Sequence, residues 1–368
     1  MPRILPQAIR VGLATALTGP FRLAGQQALI GVQAWVDDTN RQGGIRLGAG
    51  GRQCPVRLTY YDDASIPARC EACMVRLIEQ DQVDILLGPY ASGLTRRAAA
   101  VAQRYGRVLW NHGGSSDAIF AAGNAWVVGI LTPASHYFHG VIAAVRQRHP
   151  EATRLAVVHT TVGTFAREVA GGAQQYGQHH GFPAVHAYQY PAATHDFTPL
   201  LQQLARDNIE VLLGVGRMED DIRLAVQLRQ AGLPLLAVGL IATPMTVFHD
   251  TLGPAADGFL GPSQWEPALV RLPVYGPTPQ EVIASLRPRA PGGIDYPMAQ
   301  AYAGGLVAQR CIELAGSLAP TALRQAANAL DFTTFYGRFQ IDPATGRQQG
   351  HVMPVVQWQQ GRKVIIWP

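Results

Sequence analysis

The chain has 368 residues and a mass of 39.6 kDa, with 48% of residues hydrophobic and only 15% charged. That balance excludes a disordered or solvating polymer, and 39 Gly and 26 Pro scattered without a short period exclude a fibrous repeat. Thirty basic and twenty-five acidic residues leave +5 at pH 7, but no Lys/Arg run or basic stripe forms a nucleic-acid arm, so nucleic acid is not an expected partner.

Short β-branched apolar runs alternate with longer amphipathic stretches, the pattern of parallel α/β architecture. Strands are expected at 9–17, 56–61, 83–87 and 108–110, with helices at 25–40, 67–80 and 94–105 between or after them. From Pro133 a second series begins. It holds helices at 136–149, 165–180, 197–206 and 220–231 and strands at 154–159, 184–190, 211–213 and 235–238. No Gly/Ser linker separates the two blocks, so close coupling is expected. Residues 281–330 read as largely helical, with an apolar face over 302–315. Gly337–Ile341, the turn 342–346 and Val352–Trp358 then read as an antiparallel hairpin, with 363–367 as a further strand.

No run reaches the ~20 apolar residues of a membrane-spanning helix. Residues 1–10 contain Pro2 and Pro6 and no apolar leader core, which fits either a cytoplasmic protein or one whose leader has been removed. Cys54, Cys70, Cys73 and Cys311 lack the paired spacing of a zinc site. One disulfide, for example Cys54 with Cys70 or Cys73, is compatible with an oxidising compartment.

Catalytic motifs are incomplete. Gly214-Val-Gly216 follows a strand, but Glu219 stands where a dinucleotide fingerprint needs its third glycine. His112-Gly-Gly-Ser-Ser-Asp117 is like an esterase oxyanion loop, yet no GxSxG supplies a nucleophile elbow. A serine hydrolase using Ser115 or Ser116 is the alternative from another functional class. Asp62-Asp63 and His179-His180 lack a third group at metal-ligand spacing. No cofactor or metal is expected.

Three turns rich in glycine and small hydroxyl residues remain: Thr18-Gly-Pro20, Tyr90-Ala-Ser92-Gly-Leu-Thr95 and Gly113-Gly-Ser115-Ser116. In parallel α/β sheets such turns lie at the carboxyl ends of strands, where ligands bind. The last two are read as opening helices, whose N–H groups suit a carboxylate, with Ser92 and Ser115 adding hydroxyls. Plain helix caps are the equally weighted alternative for both serines.

These same residues carry a resemblance. Ile9-Arg-Val-Gly12 to Leu17-Thr-Gly-Pro20, Asn40-Arg-Gln-Gly-Gly-Ile45, Tyr61-Asp-Asp-Ala-Ser65, Leu86-Leu-Gly-Pro89, Trp110-Asn-His-Gly-Gly-Ser115 and Tyr336-Gly-Arg-Phe339 to Gly346 resemble the type I periplasmic solute-binding proteins. These are the branched-chain amino-acid, amide and urea binders, and the resemblance runs along essentially the whole chain. It implies an α/β, two-lobed clamshell, each lobe a mostly parallel sheet flanked by helices, with three crossovers. The lobes are expected at 1–132 plus 262–333 and at 133–261 plus 334–368. Ligand held in the inter-lobe cleft would favour a closed form that docks on an ABC transporter permease.

The resemblance carries Ser92, Gly113, Gly114 and Ser115 over as anchors of a ligand carboxylate. Tyr90 falls at a pocket-lining position, Phe165 near an aromatic one, and Arg217 where an aromatic often sits. Amino-acid binders place an acid for the ligand ammonium after the 235–238 strand; here that turn is Gly239-Leu-Ile241-Ala242. Burying an ammonium without a carboxylate is costly, and Asp220 or Glu219 are the nearby substitutes. Arg217 suits a second acid group on the ligand. Phe21, Tyr90, Trp110, Tyr137, Phe165 and Tyr296 are candidates to line an apolar or aromatic-acid pocket. The expected function is an extracytoplasmic, monomeric solute-binding protein for a small carboxylate-bearing ligand, with a cytoplasmic amide or amino-acid sensor of the same fold as the alternative.

Overall fold

The computed structural model describes residues 6–48, 51–121, 124–192 and 194–368, so the leader question at residues 1–5 lies outside the described residues. The chain divides into two compact units, Met1–Thr132 with Leu269–Val352, and Pro133–Ala268 with Met353–Pro368. The first begins with β1 (Ile9–Thr15), α1 (Arg22–Arg41), the small antiparallel pair β2 (Ile45–Leu47) and β3 (Arg52–Cys54), and β4 (Val56–Asp62). It continues through α2 (Pro67–Glu79), β5 (Ile85–Leu87), α3 (Ser92–Tyr105), β6 (Leu109–Asn111) and β7 (Val127–Gly129). The second unit holds α4 (His139–Arg148), β8 (Arg154–Thr160), α5 (Thr164–His179), β9 (Ala184–Tyr190), α6 (Thr198–Arg206) and β10 (Val211–Val215). Then come α7 (Met218–Ala231), β11 (Ala237–Leu240), α8 (Thr246–Leu252) and β12 (Leu260–Pro262). The chain returns to the first unit with α9 (Pro279–Leu286), α10 (Tyr296–Ala315), α11 (Pro320–Ala329), β13 (Asp331–Thr333) and β14 (Arg338–Gln340), and ends in the second with β15 (Val355–Gln359) and β16 (Arg362–Trp367).

The first sheet is wholly parallel, in the order β4-β1-β5-β6-β7. Helices cover its faces, and β5 and β6 inside the sheet and β7 at its edge are buried at every residue. The second sheet runs β16-β15-β12-β11-β10-β8-β9, parallel from β12 to β9 and antiparallel through β15 and β16.

Two expectations about the tail are corrected. Gly337–Ile341 and Val352–Trp358 are not hairpin partners. The 342–346 turn is present, with Gly346 N–H donating to Asp342 O at 2.7 Å. However, β14 pairs with β13, whereas β15 pairs with β12 and β16. Residues 334–352 accordingly belong with the first unit. Gly129 N–H donates to Gly346 O at 2.8 Å, and the Thr132 hydroxyl reaches the His351 ring at 2.7 Å. Residues 262–268 belong with the second unit, where Pro262 pairs with Val355 and Ser263 N–H donates to Pro354 O.

α10 ties the 269–352 segment into the first unit. Nearly all of it is buried, and it lies along α1 so closely that a Cβ on Gly31 would stand 2.0 Å from Met298 O. Polar links cross this apolar seam from Gln27 Nε2 to Asp295, from Trp35 Nε1 and the Thr39 hydroxyl to Gln309, and from the Tyr302 hydroxyl to Asp38. Buried polar groups at such a seam fix register because each needs its own partner. All four cysteines are free thiols, and Cys54, Cys70 and Cys311 are buried. The expected disulfide is therefore not part of this structure. Among the described residues no helix is long and apolar enough to cross a membrane.

Candidate functional site

In the first unit the site residues stand at the carboxyl ends of the neighbouring strands β5 and β6. Tyr90 to Ser92 follow β5, and Gly113 to Ser115 follow β6. The two turns are stitched together: Ala91 N–H donates to Gly113 O at 3.0 Å and Ser116 N–H to Ser92 Oγ at 3.1 Å. Ala91 holds φ at 80°, a left-handed conformation that a residue with a Cβ adopts only when its surroundings impose it. The Tyr90 hydroxyl lies 3.4 Å from that of Tyr296 at the start of α10, so the two half-buried rings share one polar end. Burial pushes the Tyr90 phenol above its usual range, so it stays protonated.

The cap alternative does not describe these serines. Ser92 is the first residue of α3, whose cap position is Ala91, and it makes no cap hydrogen bond. The second turn opens only a four-residue 3-10 helix, Asp117–Phe120, capped at Ser116, so a long helix dipole is not available there.

Asn111, the last residue of β6, is the site residue that motif reading missed. It is fully buried; its Oδ1 accepts Gly114 N–H at 2.9 Å and Gly113 N–H at 3.3 Å, while its Nδ2 donates to Gly114 O at 2.7 Å. The two glycine amides are thus turned inward, which corrects their assignment as carboxylate donors. Their own role is steric, since a Cβ on Gly113 would lie 2.2 Å from Pro89 O and one on Gly114 2.4 Å from Thr95 Oγ1. Ser92, whose Oγ accepts the Ser116 amide, and Ser115 lie on the same two stitched turns. The signal available in the sequence was Asn111-His-Gly-Gly114, the pattern of a side chain bonding backbone two and three residues on. Asn111→Ala strands two buried amides and should cost about 2 kcal/mol in urea unfolding. A loss below about 0.5 kcal/mol would mean the turn holds itself.

Next to Asn111, His112 is fully buried and neither ring nitrogen has a hydrogen-bond partner. Burial pushes its pKa down to about 4, so the ring is neutral near pH 7. A serine hydrolase would need this base bonded to its nucleophile, and it is not.

The Thr18-Gly-Pro20 turn serves architecture. Asp62 Oδ1 accepts the amides of Leu17, Thr18 and Ala64, and Oδ2 accepts the Thr18 hydroxyl at 2.7 Å. Burial works against the charge of Asp62, but these hydrogen bonds outweigh it and hold the carboxyl below its ordinary range.

In the second unit, Phe165, Arg217 and Ile241 follow the carboxyl ends of β8, β10 and β11, three adjacent strands. Phe165 is half-buried at the start of α5, edge-on to Tyr137 with centroids 5.2 Å apart. Arg217 is exposed at the cap position of α7, its amide 3.4 Å from Asp220 Oδ2. Ile241 is half-buried against the core, and its amide donates to Gly214 O. The nearby acids are engaged: Asp221 is 1% exposed and accepts Ala242 N–H at 3.0 Å, while Asp220 pairs with Arg223 at 3.5 Å. Glu219 is exposed. Of the other aromatic candidates, Trp110 is fully buried in the core and Tyr137 nearly so. An open groove of about 550 Å³ beside α6 and α7, lined by Leu201, Ala205, Gln227 and Leu233, contains none of the candidate residues. Among the described residues no group of three His, Cys, Asp or Glu is placed to hold a metal.

A wholly parallel sheet in one unit and a sheet parallel from β12 to β9 in the other, each with turns at the carboxyl ends of neighbouring strands, define the α/β class of the chain. The model of the periplasmic binding protein family matches residues 8–363, and the chain belongs to that family, whose members bind solutes. The Leu/Ile/Val-binding protein homolog 7 of Brucella abortus is 22% identical over 387 residues, covering 98% of this chain and 91% of that protein. LivJ of Streptococcus pneumoniae, a branched-chain amino acid transporter substrate binding protein in complex with isoleucine, superposes with a TM-score of 0.82 at 16% identity, over 97% of each chain. An ABC transporter solute binding protein from R. palustris in complex with benzoate gives 0.79 at 17% identity, over 98% of this chain and 97% of that one.

Proposed function

We propose that this protein is the extracytoplasmic solute-binding component of an ABC importer and that it captures a small organic acid for delivery to a membrane permease. Family membership supports the transport role, and the relatives named for branched-chain amino acids or bound to benzoate bracket the ligand class. The observation that supports the ligand reading is the stitching of the β5 turn, which carries Ser92, to the β6 turn, which carries Ser115, and their hydroxyls are the donors proposed for a carboxylate. Tyr90 and Tyr296 supply an aromatic wall. In the second unit the turns after β8, β10 and β11 carry Phe165, Arg217 and Ile241, and none of them is an acid for an α-ammonium. An aromatic or aliphatic acid is therefore the favoured ligand over an α-amino acid.

Thermal-shift and calorimetric titrations with benzoate, 4-hydroxybenzoate and L-isoleucine test this. The aromatic acids should bind and isoleucine should not; tight isoleucine binding with no response to benzoate would overturn the ligand reading. Ser115→Ala should weaken benzoate roughly tenfold, about 1.4 kcal/mol, because a hydrogen bond to a charged group is lost. Unchanged affinity would place the carboxylate elsewhere.

A further inference from the structure

Behind the second unit's turns lie two buried oxygens without hydrogen-bond partners, Tyr190 Oη and Asp221 Oδ1. Tyr190 ends β9 and is 4% exposed; Asp221 lies in the first turn of α7 and is 1% exposed. Both abut Gly216, where a Cβ would stand 2.3 Å from Tyr190 Oη and 2.7 Å from Asp221 Oδ1. No more than about 5 Å therefore separates the two oxygens. The other oxygen of Asp221 accepts Ala242 N–H, so this carboxyl fastens the α7 turn bearing Arg217 to the β11 turn bearing Ile241.

We propose that Tyr190 and Asp221 form a proton-carrying latch that keeps these two turns in register, making Asp221 a positioning residue for ligand capture. This rests on the ligand site proposed above. With its proton, the Asp221 carboxyl donates from Oδ1 toward Tyr190 Oη, directly after a small side-chain rotation or through one water, while Oδ2 keeps the Ala242 amide. Without it, a buried charge stands beside Asp220 with only backbone amides to offset its lost hydration, and the drive to hydrate that charge opens the latch. Burial pushes the Asp221 carboxyl up to about 8; Asp220 adds to this, while the amides of Ala242, Gly216 and Ile241 oppose it.

The facing charges are few. α7 supplies Glu219 and Asp220, the latter paired with Arg223, and its cap position Arg217; β9 supplies the phenol of Tyr190, pushed upward by burial, Asp221 and Asp220; β8 supplies His159, bonded to Thr160 O. The β11 turn, Ile241 to Thr243, has no titratable side chain.

Titrating the Ala242 amide by ¹⁵N NMR between pH 6 and 9.5 tests the latch without any ligand. Wild type should show a midpoint near 8, Asp221→Asn should show none with the turn intact, and Tyr190→Phe should fold and displace the midpoint. A flat wild-type profile, or the same midpoint in Asp221→Asn, overturns the latch. Benzoate affinity in the same series tests positioning: it should fall about tenfold from pH 7 to 9.5 in wild type and stay level in Asp221→Asn. A titrating amide with pH-independent benzoate affinity overturns the positioning role. A titrating amide in a protein that never binds benzoate upholds the latch and removes the benzoate reading of the ligand.

Discussion

Replacing Lys363 with Met should destabilise the second unit by about 3–5 kcal/mol, the usual cost of stranding one partner of a buried ion pair. Lys363 is the chain's only lysine. Its Nζ lies 2.9 Å from Glu266 Oε2 and donates to Pro244 O at 2.6 Å, with the two side chains only 15% and 4% exposed. One ammonium therefore joins β16, the segment after β12 and the turn after β11. Methionine matches the volume of the stem but leaves the Glu266 charge without this counter-ion. For a unit of this size each kcal/mol moves the melting temperature by ~2–4 °C, so calorimetry should record a fall on the order of 10 °C. Lys363→Arg keeps the charge on a longer planar head and should lose less. A Met variant within about 0.5 kcal/mol of wild type would show that the pair is solvated in practice.

The reach and the limit of the sequence are both visible in this corner of the molecule. Strand 363–367 was legible from apolar alternation after a Gly-containing turn, and β16 occupies 362–367. Its partner was not. Residues 337–341 and 352–358 flank a real turn and so look like a hairpin, but local turn chemistry fixes only the turn. Which edge each strand joins is decided by the sheets it can complete. β14 pairs with β13, and the chain changes unit before β15 extends β12. The α/β blocks were easier because each strand and helix declares itself by period and by a glycine stop. Gly232, for example, closes α7 in the left-handed conformation at φ 62°.

The site divides in the same way. Ser92, Ser115 and the glycines were legible as a small-residue turn after a strand, because that pattern is local. Asn111 was one step away, visible only when the inward direction of the Gly113 and Gly114 amides is known. Asp220 and Asp221 were the least legible. Acids in a helix's first turn read as solvated groups that suit the dipole, yet both are buried, at 6% and 1% exposure. Nothing in the spacing Glu219-Asp-Asp221 distinguishes the exposed acid from the two enclosed ones; the packing of β9 and the β11 turn around α7 does.

Asp63 makes the remaining large prediction. It is fully buried after β4, with Oδ1 accepting Ser65 N–H at 2.8 Å and Oδ2 without a partner. Burial pushes its carboxyl up to about 6, with Asp62 adding to this and the Ser65 amide and Arg69 opposing. A carboxyl whose folded pKa exceeds its unfolded value near 3.8 favours the folded state only while protonated. Stability is thus intact below about pH 4, falls as pH rises toward 6, and is level above. Two pKa units correspond to roughly 3 kcal/mol. Asp63→Asn keeps an acceptor for Ser65 and removes the charge, so it should match wild type at pH 4 and exceed it by about 3 kcal/mol at pH 7 in urea unfolding. Asp63→Leu should gain less, because Ser65, left-handed at φ 60°, loses the carboxyl that accepts its amide. Equal wild-type and Asn stabilities from pH 4 to 8 would refute a buried charge here. A fall in stability that the Asn variant retains between pH 7 and 8 is the Asp221 contribution, in the same direction, and adding Asp221→Asn should remove it; below about pH 7 the buried His112, held down to about 4, adds a slope of opposite sign.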